Sequence, residues 1–179
     1  MADQFGENVF LWEILGLAVV AVPGLLYLYR RDRSVRGENS VEWFPAVNLF
    51  VTGALLSVMF RLIFFLVGDA GYEASTKSLF TGNWPLQILV LLGASPLLEE
   101  LFFRGVFYTW LKTRVPAVPA ILLSAFCFGL YHGNISQGIY GFFMGVLLAM
   151  AMERYRTVAA PLVIHIGANA AALILEFLL

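Results

Sequence analysis

The chain has 179 residues, of which 60% are hydrophobic and 13% charged, where an ordinary globular domain carries about 25% charged residues. With a mean hydropathy of +0.83 and a mass of 19.9 kDa, it holds more apolar surface than its own core can hide, which excludes a disordered chain and a soluble enzyme. Eleven Lys and Arg against twelve Asp and Glu give a net charge of −1, so a nucleic-acid partner is excluded too; the composition is that of a polytopic membrane protein whose first partner is the lipid bilayer.

No basic residue precedes Arg30. The first apolar segment therefore lacks the positive start of a secretory signal and is expected as a retained helix. Residues 14–29, 43–60, 78–98, 115–152 and 157–175 contain no Asp, Glu, Lys or Arg. About 20 residues at 1.5 Å each cross the hydrocarbon layer. The 115–152 tract is long enough for two crossings, and His132-Gly133-Asn134-Ile135-Ser136-Gln137-Gly138 forms a polar hinge in its middle. The tracts lack the period-2 alternation of a closed barrel, the other spanning solution. The expected fold is all-α, one bundle of about six transmembrane helices near 9–29, 44–68, 85–111, 117–132, 137–153 and 158–178, a single membrane domain over 1–179.

Arg30, Arg31, Arg33 and Arg36 fill the first connection, Lys112 and Arg114 the third, and Arg154 and Arg156 the fifth, against Lys77 alone in the other connections and termini. That asymmetry puts these three connections in the cytoplasm and both termini on the other side. The Asp69–Trp84 connection is the longest and a candidate external cap. Ala125/Gly129 and Gly141/Gly145, each four apart, predict close helix contacts. Cys127, the single cysteine, lies in an apolar run with no basic neighbour and reads as a buried small side chain.

Ionisable groups inside a span are costly and usually functional. Glu99, Glu100, Arg104, His132 and His165 stand out, with Asn169 beside them. Glu100 and Arg104 are i,i+4 with the acid first, the favourable order for a pair. Successive helical residues are about 100° apart, so Glu99 is not expected to share a partner with Glu100 and is left without a local one. Such a carboxylate, desolvated, suits a general base. His165 and Asn169 are also i,i+4, present one face, and together can donate hydrogen bonds to a developing oxyanion. Counted from the cytoplasmic ends at about 1.5 Å per residue, Glu99 lies roughly 20 Å deep, His132 24 Å, His165 12 Å and Asn169 18 Å, close enough for one site in the outer half.

Three signatures, Glu-Glu-x-x-x-Arg at 99–104, Phe-x-x-x-His at 128–132 and His-x-x-x-Asn at 165–169, resemble the CPBP family of CAAX prenyl endoproteases and bacteriocin-processing (Abi-type) proteins. They occur in the family's order within a core of about 85–172. The resemblance implies an intramembrane endopeptidase in which Glu99 and His132 activate a water, His165 and Asn169 hold the tetrahedral oxyanion, and Glu100 and Arg104 support them. Its substrate would be a membrane-associated protein or peptide, and a bacterial or archaeal cell membrane is the expected location.

Two His and a Glu can also make a three-ligand zinc site with an open position. Glu99, His132 and His165 are that alternative set, but no His-Glu-x-x-His occurs. Metal-free glutamate catalysis, with no cofactor, is the favoured reading. Arg61 interrupts the second helix near its outer end. It is either a structural arginine paired with Glu13 or Glu176, or a group that binds substrate. The alternative from another class is a non-enzymatic scaffold, an immunity factor, or a transporter carrying protons or a cation on the same polar cluster. The absence of inverted repeats speaks against transport.

Overall fold

The computed structural model describes residues 8–33, 43–69, 71 and 83–178, and every regular element among them is helical. In chain order they are α1 (Val9–Arg31), α2 (Trp43–Val67), α3 (Trp84–Lys112), α4 (Ala117–Tyr131), α5 (Ile135–Tyr155) and α6 (Ala159–Leu178). Most of the connection expected as a cap lies outside the described residues, as do Arg36 and Lys77.

Local chemistry sets the boundaries. The Asn83 side chain accepts from the Leu86 N–H at 3.3 Å, and Pro85 fills the first turn of α3, where its missing N–H costs nothing. Asn134 does the same for α5, accepting from the Ser136 and Gln137 N–H groups at 2.9 and 3.2 Å. Gly133, at φ 67°, supplies the left-handed step between α4 and α5.

Five helices are long and apolar enough to cross a membrane; α4 is not among them. At 15 residues it spans about 22 Å against a hydrocarbon layer of about 30 Å. All six expected helices form, with α4 close to its expected bounds of 117–132. The hinge lies in the middle of the 115–152 tract; α4 is confined between Pro116 and Gly133, while α5 runs on past the tract to Tyr155 and reaches 21 residues. Exposed Val20, Leu55, Phe65, Leu66, Phe126 and Leu130 give the bundle the apolar outer surface of a multi-pass membrane protein.

At the centre stands α3, touched by α1, α4, α5 and α6. Leu11 of α1 packs on Leu86 and Val90, and Tyr29 packs on Gly105, where an added Cβ would lie 3.0 Å from its ring. The α2–α6 crossing is backbone to backbone, for a Cβ at Gly167 would lie 2.2 Å from the Phe50 carbonyl oxygen. The small-residue contacts read from the sequence form between α4 and α5. A Cβ on Gly145 would lie 2.9 Å from the Ala125 Cα, and one on Gly141 3.3 Å from the Gly129 Cα. Cys127 is only half-buried, partly packed against the Phe103–Phe128 core rather than enclosed by it.

The basic connections gather at one end. Tyr29, one residue before Arg30, accepts the Val158 N–H at 3.2 Å, and Lys112 pairs with Glu153 at 2.6 Å.

Candidate active site

The third helix is not a uniform α-helix. It widens to π-type turns over Val90–Ala94 and again over Leu101–Tyr108, with one α-helical turn, Ser95–Glu100, between them. Pro96 accounts for the first widening. It has no N–H to give and its ring crowds the preceding turn, so the Ser95 N–H reaches five residues back to the Val90 carbonyl. Such single wide turns recur at functional sites. Here they bracket both glutamates.

Glu100 and Arg104 are fully buried and paired, Oε1 to Nη1 at 3.0 Å, as the spacing predicts. Arg104 also donates to the Gly145 carbonyl at 3.4 Å and lies 4.2 Å from the centre of the Phe128 ring, a cation–π contact. His165 comes from α6 and donates from Nδ1 to Glu100 Oε1 at 2.8 Å. Its Nε2 faces Glu99 Oε2 at 3.8 Å, too long for a hydrogen bond. The two neighbouring glutamates thus do share a partner, contrary to the angular expectation. The two nitrogens of one imidazole point in different directions, and each meets a different carboxylate.

Glu99 has a local partner after all: the Ser95 hydroxyl donates to its Oε1. The i,i+4 rule that paired Glu100 with Arg104 applies equally to Ser95 and Glu99, so this contact was readable and was missed. Glu99 Oε2 remains buried with no hydrogen-bond partner among the described residues. The side chain therefore has one oxygen held and one turned towards His165.

His132 closes α4, and its Nδ1 lies 2.8 Å from the Phe128 carbonyl. A carbonyl only accepts, so Nδ1 carries a proton, which in the neutral imidazole leaves Nε2 its lone pair. The Phe-x-x-x-His spacing is that hydrogen bond. The Phe128 ring touches both imidazoles, 4.9 Å from the centre of His132 and 5.9 Å from that of His165. Asn169, one turn beyond His165, donates from Nδ2 to the Leu91 carbonyl at 2.8 Å. Arg61 stands apart, paired with Glu176 at 3.1 Å, about two turns along α6 from Asn169; Glu176 is one of the two partners considered for it.

The structure thus brings Glu99, Glu100, Arg104 and His165 into one contact chain, sets Asn169 against the same helix, and joins His132 to it through Phe128. The depth count separates His165 from Glu99 by about 8 Å, whereas the structure sets Nε2 3.8 Å from Oε2. Among the described residues no three His, Cys, Asp or Glu side chains converge on a point that would hold a metal ion.

A model of the Rce1-like family, described as type II CAAX prenyl endopeptidase, matches residues 81–171, just over half the chain and all three motifs. The UPF0177 protein YbdI of Lactococcus lactis subsp. lactis (strain IL1403) is 29% identical over 101 residues, covering 56% of this chain and 54% of that protein. YdiL of Bacillus subtilis (strain 168), named as a candidate membrane peptidase, is 27% identical over 92 residues, covering 51% of this chain and 38% of that protein. The chain thus spans about half the length, or less, of these curated relatives. No solved structure matches it.

Proposed function

The chain belongs to the Rce1-like family of type II CAAX prenyl endopeptidases, and on that premise we propose that it is an intramembrane endopeptidase using Glu99 as general base. The observation that carries this reading is the unequal state of the two Glu99 oxygens. Oε1 is held by Ser95, while Oε2 is buried, without a hydrogen bond among the described residues, and faces an imidazole nitrogen at 3.8 Å. A water at Oε2 gives up its proton there as its oxygen attacks the scissile carbonyl carbon. The lone pair on His132 Nε2 orients that water. The tetrahedral oxyanion takes hydrogen bonds from His165 Nε2–H and from the second Nδ2 proton of Asn169. The proton on Glu99 then passes to the leaving amine as the C–N bond breaks.

Glu100 and Arg104 support the reaction by holding His165. With Nδ1 donating to Glu100, a proton on Nε2 makes an imidazolium whose charge Glu99 and Glu100 offset. No step needs a metal. The substrate is a membrane-associated protein or peptide in a bacterial or archaeal cell membrane. We further propose that the basic end of the bundle is cytoplasmic, both termini face away from it, and the site opens towards the outer half of the bilayer or sideways into it.

The test is purified protein in lipid, incubated with a peptide library and read by mass spectrometry. Cleavage is expected from the wild type, none from Glu99→Gln or His132→Ala, and full activity in chelator. Activity lost in chelator and restored by zinc would overturn the mechanism. Proton-coupled uptake into vesicles without cleavage would favour the transporter.

A further inference from the structure

The wide turn before Glu99 leaves one backbone group without a donor. In a regular helix the Leu91 carbonyl would accept the Ser95 N–H; here that N–H goes to Val90. In a π-type turn the donor would be residue 96, which is proline and has none. A buried carbonyl without a donor is costly. Leu91 obtains one from across the bundle, the Nδ2 of Asn169 at 2.8 Å.

We propose that Pro96 is a positioning residue for Asn169. By withholding an N–H it keeps the Leu91 carbonyl available, and that carbonyl holds the Asn169 amide with its nitrogen towards α3. One Nδ2 proton is spent on Leu91. The other is left free on the face of α6 that presents His165 towards Glu99, where an oxyanion donor is needed. Without the clip the amide is free to turn its oxygen inward, which would repel a developing negative charge. This inference rests on the oxyanion reading of Asn169 given above. It adds a reason for a helix-interior proline three residues before Glu99, in a position where proline is otherwise unfavourable.

The decisive variant is Pro96→Ala, which restores an N–H at position 96 and lets the backbone reclaim Leu91. Two measurements are needed. The first follows the Asn169 side-chain amide by NMR in [15N]asparagine-labelled protein, its signals identified by their loss in Asn169→Asp. The second is kcat and KM on a cleaved peptide, together with the thermal midpoint. Pro96→Ala is expected to shift the Asn169 amide signals and to lower kcat by about tenfold or more, with KM within about twofold and a midpoint equal to or above the wild type. In an Asn169→Ala background Pro96→Ala should cost nothing further.

A purely structural proline would instead lower the midpoint and leave the ratio of kcat to KM loss unselective. Unshifted Asn169 signals overturn the proposal. So does a shift without loss of kcat, or an equal loss in the Asn169→Ala background. If Asn169→Ala alone cleaves at the wild-type rate, the oxyanion reading fails, and the amide signals still decide whether Pro96 sets the clip.

Discussion

Removing Arg104 should cost far more than removing Arg104 and the charge of Glu100 together. Both side chains are fully buried. In Arg104→Met the Glu100 carboxylate loses its 3.0 Å partner and, among the described residues, keeps only His165 Nδ1 at 2.8 Å; its Oε2 has no hydrogen bond among them to begin with. The Gly145 carbonyl and the Phe128 ring lose their contacts as well. Breaking one partner of a buried pair costs about 3–5 kcal/mol, against a total stability of about 5–15 kcal/mol. At about 2–4 °C per kcal/mol for a chain of this size, the thermal midpoint of the purified protein should fall by roughly 10 °C, and its abundance in membranes should drop. Arg104→Met combined with Glu100→Gln removes both charges, keeps an acceptor for His165, and should recover most of that loss. Arg104→Met with an unchanged midpoint, or a double variant no better than the single one, would refute the assignment of this pair as the buried brace of the site.

Three further outcomes are expected. A Cβ on Gly141 would lie 3.2 Å from His132 Nδ1, so Gly141→Val should displace the imidazole and lower kcat by about tenfold or more, while Gly16→Ala, with open space around it, leaves peptide cleavage unchanged. Arg61→Lys keeps the charge opposite Glu176 in a partly exposed pair and should change stability by less than about 1 kcal/mol by thermal unfolding, with cleavage intact; a selective rise in KM would assign Arg61 to substrate instead. Asn134→Cys in a Cys127→Ser background should react with an impermeant thiol reagent added outside intact cells, and labelling only after the cytoplasmic face is opened would reverse the topology.

The helices were legible because charge marks their ends. Arg30, Arg61, Lys112 and Glu153 each stop or interrupt an apolar tract, and the His132–Gly138 hinge divides the longest one. The motif residues were legible because intramembrane charges are rare enough to be noticed. Their mutual arrangement was less so. Counting depth from helix ends allowed one shared site but not the 3.8 Å approach of His165 to Glu99. Pro96 was visible in the sequence, but its effect, a free Leu91 carbonyl answered by Asn169 on another helix, is a tertiary contact that no local spacing encodes. The bounds of α4, by contrast, were legible, because the polar His132–Gly138 hinge marks its end.

The central claim is that the Glu99 carboxylate drives peptide hydrolysis inside the membrane. The most direct measurement compares protein termini by mass spectrometry in membranes holding the wild type and in membranes holding equal amounts of Glu99→Gln. New termini near membrane-associated segments, present with the wild type and absent with Glu99→Gln, are the result expected. The same new termini in both, or in neither, would contradict it.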